Sequence, residues 1–320
     1  MKDIYVICPG GFVTGGPELL HQFAHGLNER GYNASMVYYP FDIDFVVPEA
    51  YKHYNVGSMR LNNDVQKKNS VVVLPEVLTG FSRLFKNARI FIWWLSVDNY
   101  FCDLPKGFRG WINTFLGRNT HINIQKMGRF EHLVQSEYAK NFLAQYGYQS
   151  SKLSDYLNRE HFLNKFNIEK KQNIICYNPK KGSEVTQRLI NQNLSLSFIP
   201  IQNMTAEQVA ELLARSKIYI DFGHHPGKDR IPREAAMAGC IVITGVKGSA
   251  GNDVDIPVPR KYKHNEDNPS FFADVSRTIQ VSLINYELAI HDFDDYRVLI
   301  ELEQHKFNEE IDEFIKIINY

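Results

Sequence analysis

The sequence predicts an α/β protein of two doubly wound domains, and three observations carry that prediction. The first 39 residues read strand, glycine-rich loop, helix, strand. The same alternation starts again near Ile174 and runs to Thr244. Between them, residues 148–172 are polar with no lasting hydrophobic period and read as the passage between domains. Strands and helices that alternate in this way build parallel sheets with helices on both faces. At 320 residues the chain has enough length for two cores of ordinary size. The expected division is 1–155, 156–300, and a final helix, 301–320.

In the first domain, residues 3–8 are a short apolar run suited to a buried strand, followed by the loop PGGFVTGGPE. Leu20, Phe23, Ala24 and Leu27 then recur at helical spacing, Gly31 ends the helix, and 34–39 is the next strand. Gly10 and Gly11 suit a turn, while Gly15 and Gly16 stand where a phosphate could approach a helix start. The dinucleotide fingerprint G-x-G-x-x-G is absent, and the second strand ends Tyr38, Tyr39, Pro40 with no acid for a ribose, which argues against NAD. Residues 71–74 form a third strand, and Pro75 and Glu76 open a helix with Val77, Leu78, Phe81 and Leu84 on its apolar face. Residues 89–95 form a fourth strand, which delivers SVDNYF, 96–101, to the carboxyl end of the sheet. Asp98 there reads either as a general base or as an Asx-turn residue. Residues 103–129 lack a clear period; 131–135 is a fifth strand, Ser136 an N-cap, and Phe142, Leu143 and Tyr146 the buried face of a helix ending at Gly147.

In the second domain, 174–177 is a strand, 182–191 a helix, 194–199 a strand, and 205–214 a helix in which Thr205 and Gln208 fit a capping box. Residues 218–222, 231–238 and 240–244 then read as strand, short helix and strand. Pro232 suits a first helical turn, where its missing N–H would be unpaired anyway, and Gly239 suits the position just past a helix end. The loop between strand and helix, GHHPGKDR, lies where open α/β sheets bind ligands. Arg230 and Arg233 stand beside the N–H groups and the positive dipole end at the helix start, so a phosphate is the natural guest. Glu234, expected in the first turn, can accept two hydrogen bonds from a ribose diol and is also an ordinary residue for a helix start. Lys180 and Lys181 sit at another helix start, against the dipole; a bound anion explains them, and a solvated lysine pair is the alternative. Residues 269–286 and 296–319 read as helices, the last with an apolar stripe of Phe307, Ile311, Phe314, Ile315 and Ile318.

Composition narrows the function. Apolar content of 44% and charged content of 22% are those of a soluble globular protein, and 36 basic residues against 36 acidic leave no broad field for nucleic acid. Cys8, Cys102, Cys176 and Cys240 are far apart in sequence and read as buried free thiols in a reducing compartment. No apolar run reaches the roughly 18 residues needed to span a bilayer, so a cytoplasmic protein is expected. His21 and His25 share a helix face, but no Glu follows His21, so helix surface is a better reading than a metal pair. The D-x-D pairs Asp42 and Asp44, Asp253 and Asp255, and Asp292 and Asp294 are about what chance supplies, and no metal is expected.

Residues 217–245 resemble the donor-binding segment of retaining GT-B glycosyltransferases of bacterial glycan biosynthesis, of the capsule or O-antigen type. The run from Pro232 through Glu234, Ala235, Ala236, Met237, Ala238, Gly239 and Cys240 to Ile241, Val242 and Ile243 roughly follows the family's "P-x-E-A-M-A-x-G" and then "x-V-V". The resemblance gives Glu234 the nucleotide ribose. A second family glutamate, which contacts the donor sugar, is replaced by Pro226, and Asp229 is the nearest acid. Lys181 with Gly182 matches the family's diphosphate-gripping "K-G", with Lys180 in place of an arginine. IQNMT, containing Asn203 and Met204, sits where the family receives the base through backbone groups. In the first domain, the stretch opened by Gly15 and Gly16 and the segment VQSEYAKNFL also match.

The resemblance implies two facing Rossmann-like domains, 1–155 for the acceptor and 156–300 for the donor, with the final helix, 301–320, in a position from which this family's last helix often crosses back onto the first domain. It also implies transfer of a sugar from a nucleotide-sugar donor to a glycan or lipid-linked acceptor, retaining and without metal or cofactor. The donor contacts expected are Gly15, Gly16, Lys180, Lys181, Asn203, Met204, His225, Lys228, Arg230, Ile231 and Glu234, with Asp98, Asp229 and Arg230 as catalytic candidates. Peripheral contact with the inner membrane surface fits a lipid-linked acceptor, and no nucleic-acid partner is expected. A GT-B-fold sugar-nucleotide epimerase or hydrolase and a non-catalytic sugar-nucleotide-binding assembly subunit are the alternatives.

Overall fold

The computed structural model describes residues 2–67, 69–102, 121–158 and 166–320. The chain divides into two compact units, Met1–Asp155 with His305–Tyr320, and Tyr156–Gln304. In the first unit the parallel strands β1 (Asp3–Pro9), β2 (Asn33–Tyr39), β3 (Gly57–Met59), β4 (Val71–Pro75), β5 (Arg89–Trp94), β6 (Glu131–Val134) and β7 (Ser151–Lys152) lie in the order β3-β2-β1-β4-β5-β6-β7. The order reverses between β1 and β4, and the carboxyl ends of those strands flank a crevice. Helix α1 (Gly15–Asn28) follows β1, α2 (Val97–Cys102) follows β5, and α3 (Glu137–Ala144) follows β6. Ser136 caps α3 by accepting from the Ala139 N–H.

Several local expectations change. Asp98, read as a base or an Asx-turn residue at the strand end, lies in the first turn of α2. Residues 76–84 form 3-10 turns broken at Leu78 instead of one α-helix. Thr79 and Gly80 are weak helix formers there, and Glu76 turns inward to accept from the Leu95 N–H at 2.9 Å. His21 is fully buried, not on the helix surface. Its Nδ1 donates to the Pro17 carbonyl at 2.6 Å, so Nε2 accepts from the Tyr38 hydroxyl at 2.7 Å, and burial lowers the ring's pKa. Edge strands β3 and β7 were not legible, being three and two residues long.

In the second unit β8 (Gln172–Tyr177), β9 (Ser197–Pro200), β10 (Ser216–Asp221) and β11 (Ile241–Thr244) are parallel in the order β11-β10-β8-β9. The chain runs from β8 outward to β9 and then crosses to β10 on the other side, so the switch point lies between β8 and β10. Helices α4 (Ser183–Gln192), α5 (Ala206–Arg215) and α6 (Arg230–Met237) make the crossovers, and α7 (Phe271–Ile284), α8 (Tyr286–Ala289), α9 (Asp294–Glu301) and α10 (Glu303–Asn319) follow. Thr205 and Gln208 form the full capping box of α5. Strand β9 starts at Ser197, later than expected, and Leu194 is largely exposed. Lys171 is buried and donates to the carbonyls of Leu213, Ser216 and Ala238 at 3.0, 2.8 and 2.6 Å, closing the ends of α5 and α6 with one ammonium.

The helix expected over 296–319 is broken at Leu302 into α9 and α10. From His305 onward α10 belongs to the first unit, where Phe307, Ile311, Phe314 and Ile318 are buried. The Phe314 ring meets Phe23 and Phe91, each 5.0 Å between centroids. Polar ties flank this stripe: Arg30 reaches Asp312 at 2.5 Å, and Arg89 Nη1 donates to the Ile317 carbonyl at 2.7 Å. Cys8, Cys176 and Cys240 are buried free thiols; the side chain of Cys102 lies outside the described residues. Among the described residues no helix is long and apolar enough to cross a membrane.

Candidate functional site

The loops after β8 and β10 meet at the switch point of the second unit. Their contact depends on two glycines. Gly182 adopts a left-handed conformation, φ 52°, and a Cβ there would come 2.7 Å from the Phe222 carbonyl carbon; a Cβ on Gly223 would come 2.2 Å from the Lys181 Cβ. The interlock sets Lys181 against the β10 loop, where its Nζ donates to Asp229 Oδ2.

Asp229 is the N-cap of α6, but its side chain makes no cap hydrogen bond because Lys181 and His225 take it. His225 Nδ1 lies 2.7 Å from Asp229 Oδ2, and Nε2 lies 3.6 Å from Asp221 Oδ1. Asp221, the last residue of β10, accepts from the Tyr219 hydroxyl at 2.9 Å and the Gly223 N–H at 3.2 Å. The result is a chain of alternating charge, Asp221, His225, Asp229, Lys181, of which His225 is 0% exposed. His225, expected as a donor contact, therefore lies inside the unit between two carboxylates. Asp229, expected as a catalytic acid, is paired to two cationic partners.

Burial by itself would push the His225 pKa down, but contact with Asp229 and the charges of Asp221 and Asp229 outweigh it and raise the value above the ordinary 6.5. Burial would raise the Asp229 pKa, and His225 with Lys181 outweighs it and lowers the value below the ordinary 3.8. A raised histidine stabilises the fold fully below its unfolded pKa and loses that contribution as pH rises through its folded pKa. A lowered aspartate stabilises fully above its unfolded pKa and loses that contribution as pH falls through its folded pKa. Both contributions are complete between pH 3.8 and 6.5, so urea denaturation followed against pH is expected to place this unit's greatest stability there, with losses on either side.

Around this chain stand the other predicted residues. Helix α6 begins at Arg230, one residue earlier than expected, so Glu234 lies on its second turn instead of its first, with Oε1 3.4 Å from Arg230 Nη2. Pro232 becomes the third helical residue, still among the positions whose N–H has no intrahelical partner. Ile231 packs against the core cluster. Helix α4 also starts without a side-chain cap, behind Gly182. Lys180 is exposed, its N–H bonded to Asn178 Oδ1 at 3.0 Å. Asn203 is left-handed at φ 55° in the loop after β9, beside half-buried Met204. Lys228 points to Glu303, Nζ to Oε1 2.6 Å, and Arg233 is fully buried with Nη1 2.7 Å from Glu303 Oε2. Asp221 and Glu303 were not singled out from sequence; the i, i+4, i+8 spacing of Asp221, His225 and Asp229 was the available signal for the first.

Gly15, Gly16 and Asp98 belong to the first unit. The two glycines open α1, and Asp98 Oδ1 accepts from the Tyr138 hydroxyl at 3.3 Å. Burial and the Asp98 carboxylate push the Tyr138 phenol up to about 12. Each D-x-D pair is engaged with protein groups: Asp44 with Arg60, Asp253 with Lys263, Asp255 with Asn252, and Asp292 with Lys261 and Tyr262. Asp221, His225 and Asp229 bring one ligand-type atom each within 4.8 Å, but the Lys181 ammonium already holds the cation position at Asp229.

No family model matches the sequence, and no curated protein matches it. Solved structures do. The chain is similar to a glycosyltransferase from Rickettsia africae ESF-5, with 13% identity, a TM-score of 0.65, and 99% of this chain and 97% of that one covered. It is similar to Anabaena HepE in complex with UDP-glucose, with 10% identity, a TM-score of 0.64, and 99% and 100% covered. It is also similar to sucrose-phosphate synthase from Thermosynechococcus elongatus, with 11% identity, a TM-score of 0.68, and 99% of each chain covered. With its two parallel sheets, the chain has the GT-B fold of these glycosyltransferases.

Proposed function

We propose that the protein is a cytoplasmic glycosyltransferase that moves a sugar from a nucleotide donor to a glycan or lipid-linked acceptor, with retention and without a metal. The observation that carries this reading is the convergence of Lys181 with the starts of α4 and α6, neither capped by a side chain, at the switch point between β8 and β10. Chemistry of this kind breaks the bond between the anomeric carbon and a diphosphate oxygen as an acceptor hydroxyl attacks, and negative charge grows on the leaving diphosphate. Lys181, Arg230 and the N–H groups that open α4 and α6 are placed to stabilise that charge. Glu234 receives the ribose, and backbone groups at Asn203 and Met204 receive the base.

The acceptor is assigned to the first unit, with Asp98 as its candidate base. Phe12, Val13, Ile43 and Val46, exposed on the loops after β1 and β2, would suit a lipid-linked acceptor or peripheral contact with the inner membrane surface. A second reading, a non-catalytic nucleotide-sugar-binding subunit, is favoured by one observation: Asp229, the acid nearest the position of Pro226, is already paired with Lys181 and His225.

Calorimetric titration with UDP, GDP, ADP and dTDP, each with and without magnesium, tests the donor site. One nucleoside diphosphate is expected to bind tightly without metal, and failure of all four would overturn the proposal. Incubation with the matching nucleotide sugar then separates the readings: a binding subunit leaves it intact, an epimerase converts it alone, and a transferase needs an acceptor.

A further inference from the structure

We propose that His225 is a positioning residue for the diphosphate-binding lysine: its imidazolium balances Asp221 and Asp229 together, so that Lys181 is shared between Asp229 and a ligand instead of being held by two carboxylates. This inference rests on the nucleotide-sugar reading of the same site.

Geometry carries the argument. Both ring nitrogens lie close to carboxylate oxygens, Nδ1 2.7 Å from Asp229 and Nε2 3.6 Å from Asp221, as charge contacts without hydrogen-bond geometry. Two carboxylates this close to one buried ring favour its charged, doubly protonated form over the neutral one. Burial leaves no water to replace it, since His225 is fully enclosed. The backbone of His225 is also held in place. The Ser249 N–H donates to the His225 carbonyl at 2.8 Å, and a Cβ on Gly248 would come 2.1 Å from that oxygen.

The charged groups around the ring are Asp221 at the end of β10, Asp229 at the start of α6 and Lys181 in the loop after β8, with the Tyr219 hydroxyl on Asp221. Two carboxylates, one imidazolium and one ammonium sum to zero. Removing the ring's charge leaves two carboxylates facing one ammonium in a low-dielectric interior, which draws Lys181 inward. Removing the Asp221 charge does the reverse and releases Lys181 toward a phosphate. An ammonium has three N–H donors, so sharing is possible when Asp229 takes one.

The two substitutions therefore have opposite signs, which a purely structural role would not produce. Calorimetry with UDP and ADP, and with UMP and AMP as monophosphate controls, would be run on the wild type, H225Q, D221N and the double variant, with thermal melting alongside. H225Q is expected to weaken the diphosphate about tenfold and D221N to tighten it about threefold, with the double variant near the wild type and the monophosphates changing less. If both single variants weaken the diphosphate alike, if neither moves it, or if the double variant is no better than H225Q, the proposal is overturned. Should H225Q fail to fold, D221N still decides by its sign: tightening supports the inference and weakening overturns it. A wild type that binds neither diphosphate overturns the nucleotide-sugar reading itself, a result visible before any variant is made.

Discussion

Glu303→Ala is expected to destabilise the second unit by about 3–5 kcal/mol, the cost of removing one partner from a buried ion pair. Glu303 places one carboxylate oxygen 2.7 Å from Arg233 and the other 2.6 Å from Lys228. Arg233 is among the largest fully buried side chains of the chain, and its guanidinium also donates to the carbonyls of Asp229 and Lys228, both at 3.2 Å. Alanine at 303 would leave two cations facing each other in a poorly screened interior, and would also remove a favourable anion from the first turn of α10. Because those two carbonyls belong to the loop that leads into α6, the loop carrying Asp229 should loosen as well. Urea denaturation followed by far-UV circular dichroism measures the loss. The double variant R233M/E303L is the control, since replacing a buried pair by apolar groups of similar volume is often near neutral. A loss below about 1 kcal/mol in Glu303→Ala would place the pair with solvent-screened surface bridges and contradict the burial argument.

The sequence made the strand, loop and helix order of both units readable because the signals were local. Gly223 closes the apolar run that becomes β10, Thr205 and Gln208 form a capping box within one turn, and the α10 stripe repeats at helical spacing. What escaped depends on contacts distant in sequence or on marginal local preference. Glu303 meets Arg233 across 70 residues, and nothing near either residue announces the partner. His225 could be read as facing a ligand because an exposed loop and a buried charge chain place the same residues between a strand and a helix. Its side chain turns inward to Asp221 and Asp229, and the third charge partner of the chain, Lys181, reaches Asp229 from another crossover, a contact distant in sequence. The start of α6 moved by one residue, enough to carry Glu234 to the second turn; helix boundaries are the least certain part of any periodicity argument. Strand β7, two residues long, holds its place by pairing with β6 rather than by any pattern of its own.

Lys181→Ala is expected to weaken nucleoside diphosphate binding by about 1.5–3 kcal/mol, the range for a hydrogen bond to a charged group. That corresponds to roughly a 10- to 100-fold rise in Kd. The direct loss is the ammonium at the meeting of the α4 and α6 starts. An indirect loss adds to it: without Lys181 the Asp229 carboxylate is left with His225, which also faces Asp221, and an excess negative charge faces the incoming diphosphate. The double variant K181A/D229N removes that repulsion and should recover part of the affinity, never all of it, because the cation is still missing. Lys180→Ala is the matched control. Lys180 is exposed, so its change should stay within about threefold, as for solvent-screened charges. Titration of UDP and UMP against each variant separates the β-phosphate contribution from the rest of the nucleotide: Lys181→Ala should narrow the gap between the two ligands, whereas damage to the ribose or base contacts would weaken both equally. An unchanged gap would remove Lys181 from the diphosphate and leave the helix starts of α4 and α6 as the anion site on their own.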